Sequence, residues 1–143
     1  MSPVEVREML SDEEVAATFG VMRQLRPHLG SAEDYLRRVR RMRKEGYRLA
    51  AVLEDGEVRS VAGFRVQESL ISGRHLYVDD LVTADDARSR GYGRMLFLWL
   101  AEEARREGCR ELHLDSGVQR GRAHRFYFRE GMEIRHYHFA MEL

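Results

Sequence analysis

Cysteine occurs once in the 143 residues, at Cys109, so the chain cannot form an internal disulfide. Such usage suits a reducing compartment. Proline occurs twice, at Pro3 and Pro27, and nothing after Pro27 breaks the chain in two. Lysine also occurs once: of 24 basic residues only Lys44 is not arginine. The arginines run through the whole chain and read first as a compositional habit. Charge of one sign is missing, because Asp plus Glu also count 24. Zero net charge argues against a whole-surface attraction to nucleic acid or to an anionic membrane. No stretch approaches the roughly 20 apolar residues of a membrane span. The opening Met-Ser-Pro-Val-Glu-Val lacks a basic-then-apolar leader pattern, so a cytoplasmic location is the expectation.

What is present reads as one domain with a core of its own over residues 1–143. Val4–Met9 alternates like a short strand. Ser11 with Glu14 forms a capping box, and Val15, Phe19 and Met22 fall on one helical face that Pro27 and Gly30 terminate. Ser31 with Asp34 caps a second helix running to about Glu45, with Leu36, Val39 and Met42 as its apolar stripe. Its basic run, Arg37, Arg38, Arg40, Arg41, Arg43 and Lys44, reads as a solvated face, with a contact to an acidic acceptor as the alternative. Tyr47–Leu53 and Val58–Leu70 are predicted strands around an Asp55-Gly56 turn, followed by a strand over Leu76–Thr83. Tyr92–Arg106 is a long helix ended by Gly108. A strand over Leu112–Asp115, a helix over Arg122–Glu130 and a last strand over Glu133–Leu143 complete the order. Hairpins followed by alternating strands and helices predict an α/β (α+β) fold with a mixed, mostly antiparallel sheet covered by helices.

Between the fourth strand and the long helix lies Arg88-Ser89-Arg90-Gly91-Tyr92-Gly93-Arg94. Glycines let a backbone approach a ligand closely. The first amides of a helix lack internal partners and favour an anion such as a pyrophosphate. Arginines can add charge-assisted bonds. The plainer alternative is a glycine-softened helix start beside solvated arginines. A third glycine that would complete a dinucleotide fingerprint is missing, as is the Gly-Lys-Ser/Thr of a nucleotide-triphosphate loop.

Arg88-x-x-Gly91-x-Gly93 resembles the Q/R-x-x-G-x-G/A signature of the GCN5-related N-acetyltransferases. The preceding Tyr77–Thr83 is similar to that family's fourth strand, and Ala123-x-x-Phe126-Tyr127-x-x-x-Gly131-Met132 resembles its A-x-x-F-Y-x-x-x-G-F element. The resemblance covers nearly the whole chain. It implies a sheet whose fourth and fifth strands splay apart around the cofactor arm. It also implies acetyl-CoA as co-substrate, an amine of a small molecule or protein as acceptor, and direct attack within a ternary complex. On this resemblance Leu81, Val82 and Thr83 offer backbone groups to the pantetheine arm. Arg88 and Ser89 through Arg94 (Arg90, Gly91, Tyr92 and Gly93 among them) cradle the pyrophosphate. Arg120 stands where many relatives have a cofactor-binding asparagine, Met132 replaces the usual phenylalanine, and Glu133–Leu143 leaves room for one closing strand. A non-catalytic acyl-CoA-binding module is the alternative function.

Acyl transfer to an amine needs a neutral amine, oxyanion stabilisation and an acid for the leaving thiolate. Tyr127 matches the family's acid, against the alternative of a helix tyrosine packed beside Phe126 and Phe128. A backbone amide near Val82 is the oxyanion donor that the resemblance implies. For a base the chain offers Asp79, with Asp80 beside it on a strand that otherwise reads as buried; the resemblance adds Asp115, late in the next strand, at a position where some ribosomal-protein acetyltransferases of the family carry a glutamate base. Alternation sets Asp79 with Tyr77 and Leu81, and Asp80 with Val78 and Val82, on opposite faces. Each carboxylate can equally be structural, and water can relay the proton. His113 shares parity with Asp115. His136 and His138 alternate, but two ligands make no metal site, so no metal is expected. Cys109 lacks an adjacent activating partner and reads as inert. A homodimer is expected, on Phe139, Met141 and Leu143 falling on one face of the last strand.

Overall fold

The computed structural model describes residues 3–143 and packs as two compact units, one up to His113 and one from Leu114 to Leu143. In the first unit, β1 (Val4–Glu8), β2 (Arg48–Glu54), β3 (Glu57–Ser69) and β4 (Gly73–Thr83) form an antiparallel run. β5 (Glu111–Leu114) completes a sheet of order β1-β2-β3-β4-β5 among the described residues. It follows β4 through the helix α4 (Tyr92–Arg106), the crossover that a parallel neighbour requires. The α+β class and mixed sheet expected from the sequence are therefore present.

Each element has a local cause. Asp55 and Gly56 both have positive φ, 51° and 78°, which is the tight-turn geometry that closes β2 on β3. Ser11 accepts from the Glu14 amide while Glu14 reaches back to the Ser11 amide, so α1 (Asp12–Ala17) starts at a complete capping box. Ser31 likewise caps α3 (Ala32–Arg43) through the Asp34 amide. Leu49 to Val52 on β2, Val61, Ala62 and Phe64 on β3, and Leu96 and Leu100 on α4 are fully buried. β2 is apolar on both faces at its centre, as a strand covered on two sides must be.

The structure departs from the sequence reading at four places. The single helix expected after Ser11 is two, α1 and α2 (Phe19–Leu25), divided at Thr18. The buried Thr18 hydroxyl bonds back to the Val15 carbonyl at 2.7 Å and meets the Tyr35 hydroxyl at 2.7 Å, a local competition that interrupts helices. The basic face of α3 is not only solvated. Arg43 donates to the carbonyls of Met9 and Leu10, Arg37 pairs with Asp34, and Arg40 pairs with Asp12. Strict alternation along β4 also fails, because the ladder passes from Gly63↔Asp80 to Phe64↔Val78 and leaves Asp79 as the extra residue of a bulge. Finally, the second unit, taken by itself, has one helix, α5 (Gly121–Arg129), and no strand over Glu133–Leu143. A strand needs a neighbour for its ladder, and that unit contains none beyond the last residue of β5.

Gly63 has a strict steric role. A Cβ there would lie 1.8 Å from the Tyr47 hydroxyl and 2.7 Å from Asp80 Oδ2. Gly20 in α2 has nothing within 4 Å of such an atom. Gly63→Ala is expected to lower stability by about 1–3 kcal/mol through overpacking. Gly20→Ala is expected to raise it by roughly 0.5–1 kcal/mol. Urea denaturation midpoints test both; equal effects of one sign would contradict the steric argument.

Candidate active site

The end of β4 is fixed from one side. Ser60 on β3 donates to the Val82 carbonyl at 2.9 Å and meets the Thr83 hydroxyl at 3.1 Å, while Leu81 and Val82 pair with Ala62 and Val61. A 3₁₀ turn over Asp85–Ala87 then leads into the arginine and glycine loop. Arg88 is held back on Asp85 at 2.8 Å. Ser89 and Gly91 both have positive φ, 66° and 84°. Gly91 is the left-handed N-cap of α4, and no side chain caps this helix start. A helix that begins this way presents its first amides, and the positive end of its dipole, to an anion. Gly93 sits close to β4: a Cβ there would be 3.3 Å from the Thr83 hydroxyl oxygen. The Tyr92 hydroxyl donates to Glu54 at the end of β2 at 2.6 Å, which ties the first turn of α4 to the sheet. Backbone, glycines and arginines here fit a pyrophosphate, so Ser89 to Arg94 are the residues that would hold it.

Upstream on the same strand, the bulge brings two carboxylates together. Asp80 Oδ1 accepts from Arg26 Nε at 3.0 Å and Oδ2 accepts from the Tyr47 hydroxyl at 2.7 Å. Asp79 Oδ2 accepts from Arg65 Nε at 2.9 Å. The Arg65 guanidinium lies 5.4 Å from the centre of the Tyr47 ring, so the two acids converge on one cluster instead of facing apart. Asp79 Oδ1 is buried and accepts no hydrogen bond among the described residues. Burial raises the Asp79 pKa above the ordinary carboxylate value, against the lowering pull of Arg65, and the neighbouring Asp80 adds to the rise. Burial, and then the Asp80 charge, hold the Tyr47 phenol well above its ordinary pKa.

In the second unit, Tyr127 lies on α5 with its ring 5.7 Å from that of Phe126, edge to face. Burial raises its phenol pKa above 10, opposed by Arg120. The phenol is therefore protonated throughout the neutral range, as a proton donor must be. Asp115 pairs with the His138 imidazole at 2.9 Å. In the first unit, His113 does not stand free for such a role: it meets Glu111 at 2.8 Å, and its ring lies 4.8 Å from that of His75. Burial raises the Cys109 thiol, away from nucleophile behaviour.

The structure thus brings Asp79 into a cluster that the sequence reading did not assemble. Arg26, Tyr47, Gly63 and Arg65 were missed. Arg26 and Asp80 are 54 positions apart and Tyr47 and Asp80 are 33 apart, so spacing carries no trace of either contact. Gly63 alone left a signal, because a glycine inside an apolar strand marks a bulge or a close approach.

The model of the acetyltransferase (GNAT) family matches residues 7–132. The chain is 38% identical over 125 residues to the uncharacterized N-acetyltransferase YhdJ of Bacillus subtilis (strain 168), covering 87% of each. It is 35% identical over 98 residues to an aminoalkylphosphonate N-acetyltransferase of Salmonella typhimurium, covering 68% of this chain and 62% of that one. A solved structure of the aminoglycoside N-acetyltransferase AAC(6')-Iy in complex with CoA superposes with a TM-score of 0.87 at 15% identity, over 100% of this chain and 96% of that one. On a family match that spans most of its length and a relative that it resembles end to end, this chain belongs to the acetyltransferase (GNAT) family.

Proposed function

We propose that this acetyltransferase, which carries an acetyl group from acetyl-CoA to an amine, works by direct attack of the amine in a ternary complex. The observation that carries the reading is the uncapped start of α4 at the left-handed Gly91, joined to the end of β4 by the arginine loop. Leu81, Val82 and Thr83 offer backbone groups to the pantetheine arm, and Arg88 through Arg94 take the pyrophosphate. Acetyl-CoA supplies an activated thioester. Asp79 takes a proton from the acceptor nitrogen at its buried, unpaired oxygen. The amide near Val82 stabilises the oxygen that gains charge. As the C–N bond forms and the C–S bond breaks, Tyr127 gives its proton to the departing thiolate. Asp115 is the alternative base.

A small-molecule amine is the acceptor we favour, supported by the Salmonella relative, whose name gives aminoalkylphosphonates as its substrates. We further propose that the 143 residues act as one domain, in the cytoplasm, as a homodimer. The single cysteine, Cys109, supports the compartment. Phe139, Met141 and Leu143 at alternate positions support the dimer. No helix among the described residues is long and apolar enough to cross a membrane. A second reading, a module that binds acyl-CoA without turnover, is favoured by Arg120 standing in place of the family's asparagine. Release of free thiol from acetyl-CoA with a panel of amines discriminates the two.

Three outcomes are expected. CoA raises the melting temperature, by an amount equivalent to about 2.7 kcal/mol at a hundred times its Kd. Gly91→Val and Gly93→Val abolish that rise, the first through backbone strain at φ 84° and the second through the Thr83 contact. Differential scanning fluorimetry reads both; an unchanged shift in either variant contradicts the loop assignment. Tyr127→Phe lowers kcat by roughly 10²-fold with the Kd for CoA unchanged. Single-turnover kinetics check this, and full activity removes Tyr127 from the mechanism. Asp79→Asn lowers kcat/KM by roughly 10²-fold to 10⁴-fold near neutral pH. Its loss should be accompanied by loss of the acid limb of the pH profile, since only the ionised carboxylate accepts a proton. An Asp79→Asn enzyme with the wild-type profile transfers the role to Asp115 or to water.

A further inference from the structure

Asp79 is the base of the proposed reaction, and its neighbour Asp80 has no part in the proton transfer. Asp80 is the more enclosed of the two, with 13% of its side chain exposed against 21% for Asp79. Both Asp80 oxygens are engaged, Oδ1 by Arg26 and Oδ2 by Tyr47. Each Asp80 oxygen is thus already held by a donor, whereas Asp79 keeps one oxygen with no donor among the described residues. Its partners are tied to the bulge in a second way. Arg26, the C-terminal cap of α2, donates from Nε to the Asp80 carboxylate and from Nη2 to the Asp79 backbone carbonyl at 3.1 Å. One planar guanidinium therefore spans both sides of the peptide that joins the two acids. Its rigid fork fixes how that peptide is turned. Gly63, opposite Asp80 in the ladder, leaves the space that the Tyr47 hydroxyl fills.

We infer that Asp80, acting through Arg26 and Tyr47, is a positioning residue that locks the β4 bulge and holds the Asp79 carboxylate ready to accept the amine proton. This rests on the proposed role of Asp79 in acetyl transfer. A bulge holds an extra residue that the ladder does not, so its orientation depends on side chains. Here the side chains come from three other elements. Arg26 reaches in from α2, Tyr47 from the residue before β2, and Arg65 from β3. Tyr35 on α3 also feels the Asp80 charge, and burial pushes its phenol up to about 12. Glu45 stands 4.0 Å from Arg65. The charges that face Asp79 are therefore Arg65 and Arg26, which favour its ionised form, and Asp80, which opposes it.

That balance gives a test with two opposite signs. Asp80→Asn removes a negative neighbour, so Asp79 ionises more readily and the acid limb of kcat/KM moves to lower pH. Arg26→Gln removes a positive neighbour, so the limb moves to higher pH. Arg26→Lys keeps the charge but not the fork: the limb stays in place while kcat falls by roughly 10-fold to 10²-fold, the cost of a misplaced group. The experiment is the pH dependence of thiol release at saturating acetyl-CoA for wild type and the three variants. Melting temperatures with and without CoA serve as the check of folding and cofactor binding. Opposite displacements for Asp80→Asn and Arg26→Gln, with the CoA shift retained, are the expected result. Limbs that stay together, or move the same way, overturn the positioning role. If Asp80→Asn does not fold, Arg26→Gln alone decides, since its partly exposed side chain leaves the core untouched. A wild-type enzyme inactive on every amine instead defeats the parent reading, and a fully active Asp79→Asn defeats the choice of base.

Discussion

The acid cluster on β4 depends on one irregularity in one ladder. β3 and β4 pair residue for residue except where Asp79 is inserted between the partners of Gly63 and Phe64. Without the insertion, Asp79 and Asp80 would point to opposite faces, and only one would meet Arg65, Tyr47 and Arg26. With it, two negative charges share a site of two arginines and a phenol. Carboxylates this enclosed are tolerated because each is held by a cation, whereas an unpaired buried charge is costly. The arrangement then separates them. Asp80 has a donor on each oxygen, and Asp79 keeps one buried oxygen without a donor among the described residues and has a raised affinity for protons.

The loop proposed to hold the cofactor follows from a different constraint, the backbone at the start of α4. A left-handed N-cap is easily adopted by glycine and costly for other residues, and Gly91 takes it. Gly93, one turn-step later, brings the helix to within van der Waals reach of the Thr83 hydroxyl. The bond from Tyr92 to Glu54 ties the loop to β2, and Ser60 holds the end of β4 from β3. A rigid frame of this kind is what electrostatic stabilisation needs, because donors already in place do not have to reorganise as charge develops.

Much of the fold was legible in the sequence because its signals are local. The capping serines Ser11 and Ser31, the Asp55-Gly56 turn and the span of α4 are fixed by neighbours a few positions away. The break at Thr18 was not legible, since its hydroxyl partner Tyr35 comes from another helix. The loop from Arg88 to Arg94 was legible as a motif, and the left-handed, uncapped helix start at Gly91 lies inside it. The acid cluster was only half legible. Asp79 and Asp80 were conspicuous as charges on an apolar strand, yet strict alternation placed them apart, and Arg26, Tyr47 and Arg65 could not be linked to them by spacing. A bulge shifts side-chain parity by one residue, and periodicity cannot register that shift.

In the proposed role, the bulge makes Asp79 a proton acceptor instead of a permanently ionised structural acid. Site-resolved carboxyl titration by ¹³C NMR measures that property directly, in the folded chain and without a substrate. The Asp79 carboxyl is expected to titrate above the ordinary aspartate value of about 3.9. A midpoint at or below that value would show that Arg65 and Arg26 outweigh burial, and would contradict the assignment of Asp79 as the base.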